Sequence, residues 1–369
     1  MPKFSLYNYL ETIFEQKNRL NKNNNNLKLG YKILIQQILI IFLLVYITIY
    51  KKKYFILSEN KNNNFKNDEI NNSNFIDNLN FNYEYNTFAI ITCKKCKFCG
   101  LFAIFKYYLY DITEYINNGY IPIIDLSSFP NIFNGFNESS INQNPWENFF
   151  NQPFGYTLEN VKKMAKKVKY FNCSFPHKKI NHKTFYFHKF IIDFWHNILI
   201  KYIPIKKEII KESNIITKIL LKNSNNILGI LIRGTDYLAR KPKFHPIPPN
   251  ITIVINDIKI FDKKYKYDYF FIGTEDNIIR NKFINEFGEK LKYIKSKNEI
   301  EYNYKKKSFL ALNKNMKGNI NNIKIYLLNI IILSKCIDVI CARTNGTIGL
   351  LILTKGFRNS KIYFLGEYK

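Results

Sequence analysis

Read for the period of its apolar positions, the chain divides into an uncharged run, a polar stretch, and a long alternation of short apolar runs with helical patterns. Residues 33 to 50, ILIQQILIIFLLVYITIY, carry no charge, are mostly apolar and run into Lys51, Lys52 and Lys53. That length just suffices for one membrane span. The run is expected to be a membrane anchor behind a 1–32 tail; a buried core segment is the other reading. The tail is too long for the front of a cleavable signal, and no small-residue cleavage site follows the run. Positive charge flanks it about equally, so the orientation stays open. From 51 to 87 Asn, Lys and Asp dominate without a sustained period, the composition of a solvated linker.

From Phe88 the pattern changes. FAIITC and YIPIIDL predict strands, with helical patterns at Leu101–Asn118, Leu158–Tyr170, Phe190–Tyr202 and Lys206–Leu221. A second alternation follows, in which ILGILIR, YDYFFIGT, IDVICA and KIYFLG predict strands, with helices at Asn277–Phe287, Asn322–Ser334 and Ile348–Thr354. Short, continuously apolar strands separated by helices predict parallel sheets covered on both faces. The fold class is therefore α/β, in two units at about 88–224 and 225–369.

Composition changes this picture little. With 369 residues, 46% of them hydrophobic, the chain can bury the core of two domains or one large one. The net charge of +28 would suit an anionic partner. Its Lys residues are nevertheless spread along the whole chain among many Asn and Ile, as in a general compositional drift, and no nucleic-acid partner is expected. Arginine is scarce, six residues among 56 basic ones. Two of the six, Arg233 and Arg240, flank a Gly-Thr-Asp step that follows a strand. Cys93, Cys96 and Cys99 have a C-x2-C-x2-C spacing that could hold a metal or cluster, but no fourth ligand lies nearby. Free thiols beside a strand end are the expectation, and no paired framework argues for oxidising export.

Ligands of open parallel sheets bind at the carboxyl ends of the strands. Three such ends carry unusual residues: Arg233, Gly234, Thr235 and Asp236; then Gly273, Thr274, Glu275 and Asp276; then Arg343, Thr344, Asn345, Gly346 and Thr347. Two guanidinium groups, several hydroxyls and a turn opening a helix suit the phosphates of a nucleotide diphosphate. A carboxylate such as Asp276 suits donors on a base or sugar. No G-x-G-x-x-G, Walker A or Asp-x-Asp sequence is present, which speaks against dinucleotide, NTPase and metal-diphosphate sites.

IRGTDYLARKPKFHPI resembles the Arg-x-Thr-Asp motif of the fucosyltransferase superfamily, which takes in α1,6-, protein O- and rhizobial nodulation fucosyltransferases. FIGTEDN is similar to that superfamily's Thr-Asp-Asp strand end, and LSKCIDVICARTNGTIGLL to its Leu-Ser-x-x-Asp segment. The resemblance spans about 225–356. It implies a GT-B-like pair of Rossmann-type domains behind the anchor and linker, with 88–224 on the acceptor side and 225–369 binding the nucleotide sugar. It also implies inverting transfer of a sugar, typically from GDP-fucose, to a glycan or glycoconjugate without metal or cofactor. Carried over, Arg233 contacts the β-phosphate, Asp276 the guanine, and Thr344, Asn345, Gly346 and Thr347 the phosphates, with Gly234 and Thr274 lining the donor site. The carboxylate proposed as base in the α1,6 enzymes is replaced by Lys241, which leaves Asp236 as the nearest candidate. Another nucleotide-sugar donor on the same fold and a non-enzymatic, membrane-attached polyanion binder are the competing readings. His245 is expected to pack its loop, and Trp146 to anchor the core.

Overall fold

The structure, a computed structural model, describes residues 87–135, 143–174, 189–234, 237–238, 241–295, 320–354 and 356–369. The 1–32 tail, the expected anchor at 33–50 and all but the last residue of the linker lie outside them. All described residues fall within one compact unit, Phe81–Lys369.

Two parallel sheets form the frame. The first has the order β2-β1-β3, with β1 at Thr87–Thr92, β2 at Tyr120–Ile124 and β3 at Val168–Asn172. Helix α1, Leu101–Asn117, connects β1 to β2, and α2, Leu158–Met164, precedes β3. Two more helices follow, α3 at Lys189–Tyr202 and α4 at Lys207–Leu221. The second sheet has the order β6-β5-β4-β7-β8. Its strands are β4 (Ile227–Leu231), β5 (Tyr269–Gly273), β6 (Leu291–Lys292), β7 (Asp338–Ala342) and β8 (Asn359–Tyr363). Between them run α5 (Ile251–Tyr265), α6 (Asn277–Phe287), α7 (Ile320–Leu333) and α8 (Asn345–Leu353). This is the mixed α/β architecture with parallel sheets that the apolar runs predict.

Side-chain alternation sets the layers. Ile227 and Leu231 of β4 face one cluster and Leu228 and Ile230 the other, as a strand covered on both faces requires. The largest cluster joins Ile91 and Ile124 of the first sheet to Phe271, Val339 and Cys341 of the second through α1, α3, α7 and α8. Trp146 is wholly buried in it, stacked on Phe150 with ring centroids 4.5 Å apart, in the anchoring place expected of it.

Four differences from the predicted elements matter. The pattern at Leu158–Tyr170 divides into α2 and the edge strand β3, whose Lys169 and Tyr170 are exposed; an edge strand covered on one side carries no continuous apolar run. Helix α5 was not predicted because β-branched residues fill its first turns, yet Asn250 caps it, accepting from Thr252 N–H at 2.9 Å. The two-residue β6 was not predicted either, being too short to show a period. Helix α8 begins at Asn345, three residues before the predicted start, because Thr344 caps it.

The cysteines are also a correction. Cys93 pairs with Cys173 and Cys96 with Cys99, where free thiols were expected. Cys93 follows β1 and Cys173 follows β3, and the two strands pair side by side, a neighbourhood invisible without β3. Cys336 and Cys341 remain free and buried.

Candidate functional site

The order of the second sheet reverses between β4 and β7. Chains leave the two strands in opposite directions there, which opens a crevice at their carboxyl ends. The first predicted motif follows β4 and the third follows β7.

After β4, Arg233 is half-buried and its guanidinium carbon lies 4.6 Å from the centre of the Tyr237 ring, a stacking geometry that holds a planar cation in place. Gly234 comes next. A Cβ there would collide with the Asp276 carboxylate and reach within 2.5 Å of Ile279 Cδ1, so the chain passes only because this residue has no side chain. Thr235, Asp236 and Arg240 lie outside the described residues. Lys241 is exposed. His245 packs edge-on to Tyr237 with centroids 5.2 Å apart, the loop-packing place expected for it.

After β5, Thr274 Oγ1 accepts the Asp276 N–H at 3.2 Å. Asp276 is wholly buried and caps α6, its Oδ1 accepting from Ile278 N–H at 3.0 Å and Ile279 N–H at 3.1 Å. Both cap bonds end on Oδ1, so the carboxylate that the resemblance assigns to the guanine also holds the start of α6. Glu275 beside it is exposed.

After β7, Thr344 caps α8, accepting from Thr347 N–H at 3.2 Å, and Thr347 Oγ1 donates back to the Ala342 carbonyl. Thr347 is therefore a wholly buried brace. The first-turn amides, Asn345 and Gly346 among them, have no carbonyl of their own helix to bind. Arg343 is nine-tenths buried, and its Nη2 donates to Glu367 Oε1 at 2.7 Å. Glu367 lies on the last residues of the chain, where Phe244 N–H donates to the Tyr368 carbonyl at 2.9 Å and Ile247 N–H to the Gly366 carbonyl at 3.1 Å. The carboxyl tail thus ties the Phe-His-Pro-Ile loop to the third motif.

No family model matches this chain, and neither does any curated protein sequence. Solved structures do resemble it. NodZ alpha-1,6-fucosyltransferase soaked with GDP-fucose is 11% identical over 73% of this chain and 93% of its own, with a TM-score of 0.43. Fucosyltransferase NodZ from Bradyrhizobium is 11% identical over 69% and 88%, at 0.41. POFUT1 in complex with GDP is 8% identical over 75% and 98%, at 0.44.

Two residues that join the strand ends were not picked out from the sequence. Tyr326, on α7, sets its hydroxyl where a Cβ of Gly346 would stand. Burial pushes this phenol well up, the Glu275 carboxylate and Tyr237 raise it further, and Arg233 opposes them. One hydroxyl therefore lies within electrostatic reach of all three motifs. Its signal in the sequence is a phenol in the apolar stretch IYLLNIIIL. Lys106, on α1, is 7% exposed, and its Nζ donates to Asn345 Oδ1 at 3.3 Å. Burial pushes its ammonium down to about 8. Its signal is one lysine within LFAIFKYYLY.

Proposed function

We propose that this chain is an inverting, metal-independent glycosyltransferase that transfers a sugar from a nucleotide diphosphate, fucose from GDP-fucose first among the donors, to a glycan or glycoconjugate. In this reading the arrangement is GT-B-like, with the nucleotide sugar on residues 225–369 and the acceptor on the side of 88–224. The observation that carries the reading is that β4 and β7 end at a sheet reversal, with the end of β5 next to β4. Gly346, by lacking a side chain, admits the Tyr326 hydroxyl to the open end of α8, and Arg233 is near enough to oppose the rise of that phenol.

Transfer breaks the bond between the anomeric carbon and the β-phosphate while the acceptor oxygen takes the carbon from the opposite face. The leaving diphosphate gains negative charge. Arg233 and the amides of Asn345 and Gly346 are the groups that would stabilise it, with Thr344 and Thr347 fixing the turn. Asp236 is the base in this reading and accepts the acceptor's proton. Asp276 holds the Gly234 turn against α6, and Thr274 braces Asp276. Residues 33–50 attach the enzyme to a membrane.

Calorimetric titration with GDP and UDP, together with hydrolysis of GDP-fucose, tests the reading. Arg233→Ala should cost on the order of 10² to 10³ in turnover and weaken GDP binding without loss of fold. Arg233→Lys should do nearly as much harm, because an ammonium cannot reproduce the planar fork. Unaltered GDP affinity in both variants would sink the assignment of Arg233.

A further inference from the structure

We propose that Tyr326 is a leaving-group residue of the candidate donor site, its hydroxyl donating a hydrogen bond to the diphosphate at the amino end of α8. The inference rests on the function proposed above and adds a neutral donor, on α7, to the charged one on Arg233.

Helix packing fixes the ring of Tyr326. It meets the Phe102 ring of α1 edge-on, with centroids 5.7 Å apart, and its hydroxyl stands where a Cβ of Gly346 would be. Gly346 is the second residue of α8. Cα–Cβ bonds tilt toward the amino end of a helix, so the space that the hydroxyl fills lies on the side from which an anion would approach. The Thr347 amide is capped by Thr344, whereas the amides of Asn345 and Gly346 have no carbonyl of their own helix to bind. An anion seated on those two amides would have the phenol beside it.

A ring needed only for packing requires no oxygen here. Tyr326 is half-buried, and no group among the described residues hydrogen-bonds its hydroxyl. Room for that hydroxyl is made by a glycine in the first turn of α8, a poor helix former. Phenylalanine would keep the contact with Phe102 and leave no polar atom to satisfy. A second unmet donor stands at the same helix end. Arg343, nine-tenths buried and next to the capping Thr344, gives its Nη2 to Glu367, but its buried Nε meets no acceptor among the described residues. Two such donors and a positive helix end suit one kind of ligand, an oxyanion. Burial first, and the Glu275 carboxylate second, keep the phenol protonated, so it meets an anion as a donor and not as a competing charge. When the glycosidic bond breaks, its electron pair stays on the β-phosphate oxygen. The phenol keeps its proton, and its hydrogen bond strengthens as that charge grows.

The test compares the full chain with Tyr326→Phe. Melting temperatures are measured without ligand, inorganic pyrophosphate and GDP are titrated by calorimetry, and hydrolysis of GDP-fucose gives kcat and KM. Tyr326→Phe should melt no lower than the parent, because no protein hydrogen bond is lost. It should bind GDP and pyrophosphate about 10- to 100-fold more weakly, the loss expected for a hydrogen bond to a charged group. Its kcat should fall more than its KM rises, since the leaving group carries more charge than the bound donor. If Tyr326→Phe binds both probes and turns over GDP-fucose as the parent does while Arg233→Ala weakens both, the ring only packs, the inference falls and the donor site stands. If the parent binds neither probe, the proposed function fails and takes this inference with it. Should Tyr326→Phe not fold, Tyr326→Met, which also lacks the hydroxyl, is judged by the same criteria.

Discussion

A methyl group added at Gly234 has nowhere to go. It would press on the Asp276 carboxylate and on Ile279, both fixed by the start of α6. Gly234→Ala should therefore lower stability by about 1 to 3 kcal/mol, the usual range for overpacking. Asp276→Ala should lose about 0.5 to 2 kcal/mol as a deleted helix cap. Because the two groups meet, the double variant should cost less than the sum of the two, and urea denaturation of all three would check it. Strict additivity would show that the contact does not hold the turn. A different carboxylate governs the response to pH. Burial pushes Asp111 from its ordinary value of 3.8 up to about 7, Ser174 opposes the shift through its N–H and hydroxyl, and Glu114 adds to it. Between those values the folded chain keeps a proton that the unfolded chain releases. The stabilisation is fully present below about 3.8 and is lost as pH rises through 7. Melting temperatures of the parent and of Asp111→Asn between pH 4 and 8 should show the parent's advantage shrinking as pH rises. A difference that does not vary with pH would contradict the raised value.

At the scale of elements, the two disulfides do unequal work. Cys93–Cys173 spans 80 residues and ties the ends of β1 and β3, whereas Cys96–Cys99 spans three and ties only the turn before α1. Loop-closure entropy grows with the closed length, so the long bridge stabilises by about 4 kcal/mol and the short one by about 2 kcal/mol or less. Unfolding in urea of Cys93→Ala/Cys173→Ala and of Cys96→Ala/Cys99→Ala should rank the losses in that order. The reverse order would mean that the turn before α1, rather than the joining of β1 to β3, is the critical constraint.

For the whole molecule, the net charge of +28 and the apolar run at 33–50 bear on where the protein sits. Among the described residues no helix is long and apolar enough to cross a membrane, and both sheets from Thr87 onward carry helices of that region on each face. If 33–50 is the anchor, removing residues 1–60 should yield a soluble, folded protein, and the full chain should stay in the membrane pellet after carbonate washing. Release of the full chain by carbonate would overturn the anchor.

Some of this was decided by local pattern alone. Short apolar runs such as ILGIL and VICA, bounded by turn residues, have the length of strands buried on both faces, and the residues just after them were identifiable as a candidate site because such strands end at ligand crevices. The edge strand β3 and the disulfide across β1 and β3 were not legible, since each depends on a neighbour distant in the chain, and α5 was hidden by the β-branched residues of its first turns. The surroundings of the candidate site residues were decided by tertiary structure too. Asp276 looks like a free carboxylate in FIGTEDN, but the approach of Gly234 and the start of α6 bury it as a cap. Lys106 and Tyr326 look like strays in apolar helices. They come to the strand ends because Gly349 lets α1 close on α8 and Gly346 leaves room for a phenol. Sequence period determines which face of an element is buried; which distant side chains then share a turn is determined by how closely the backbones can pack.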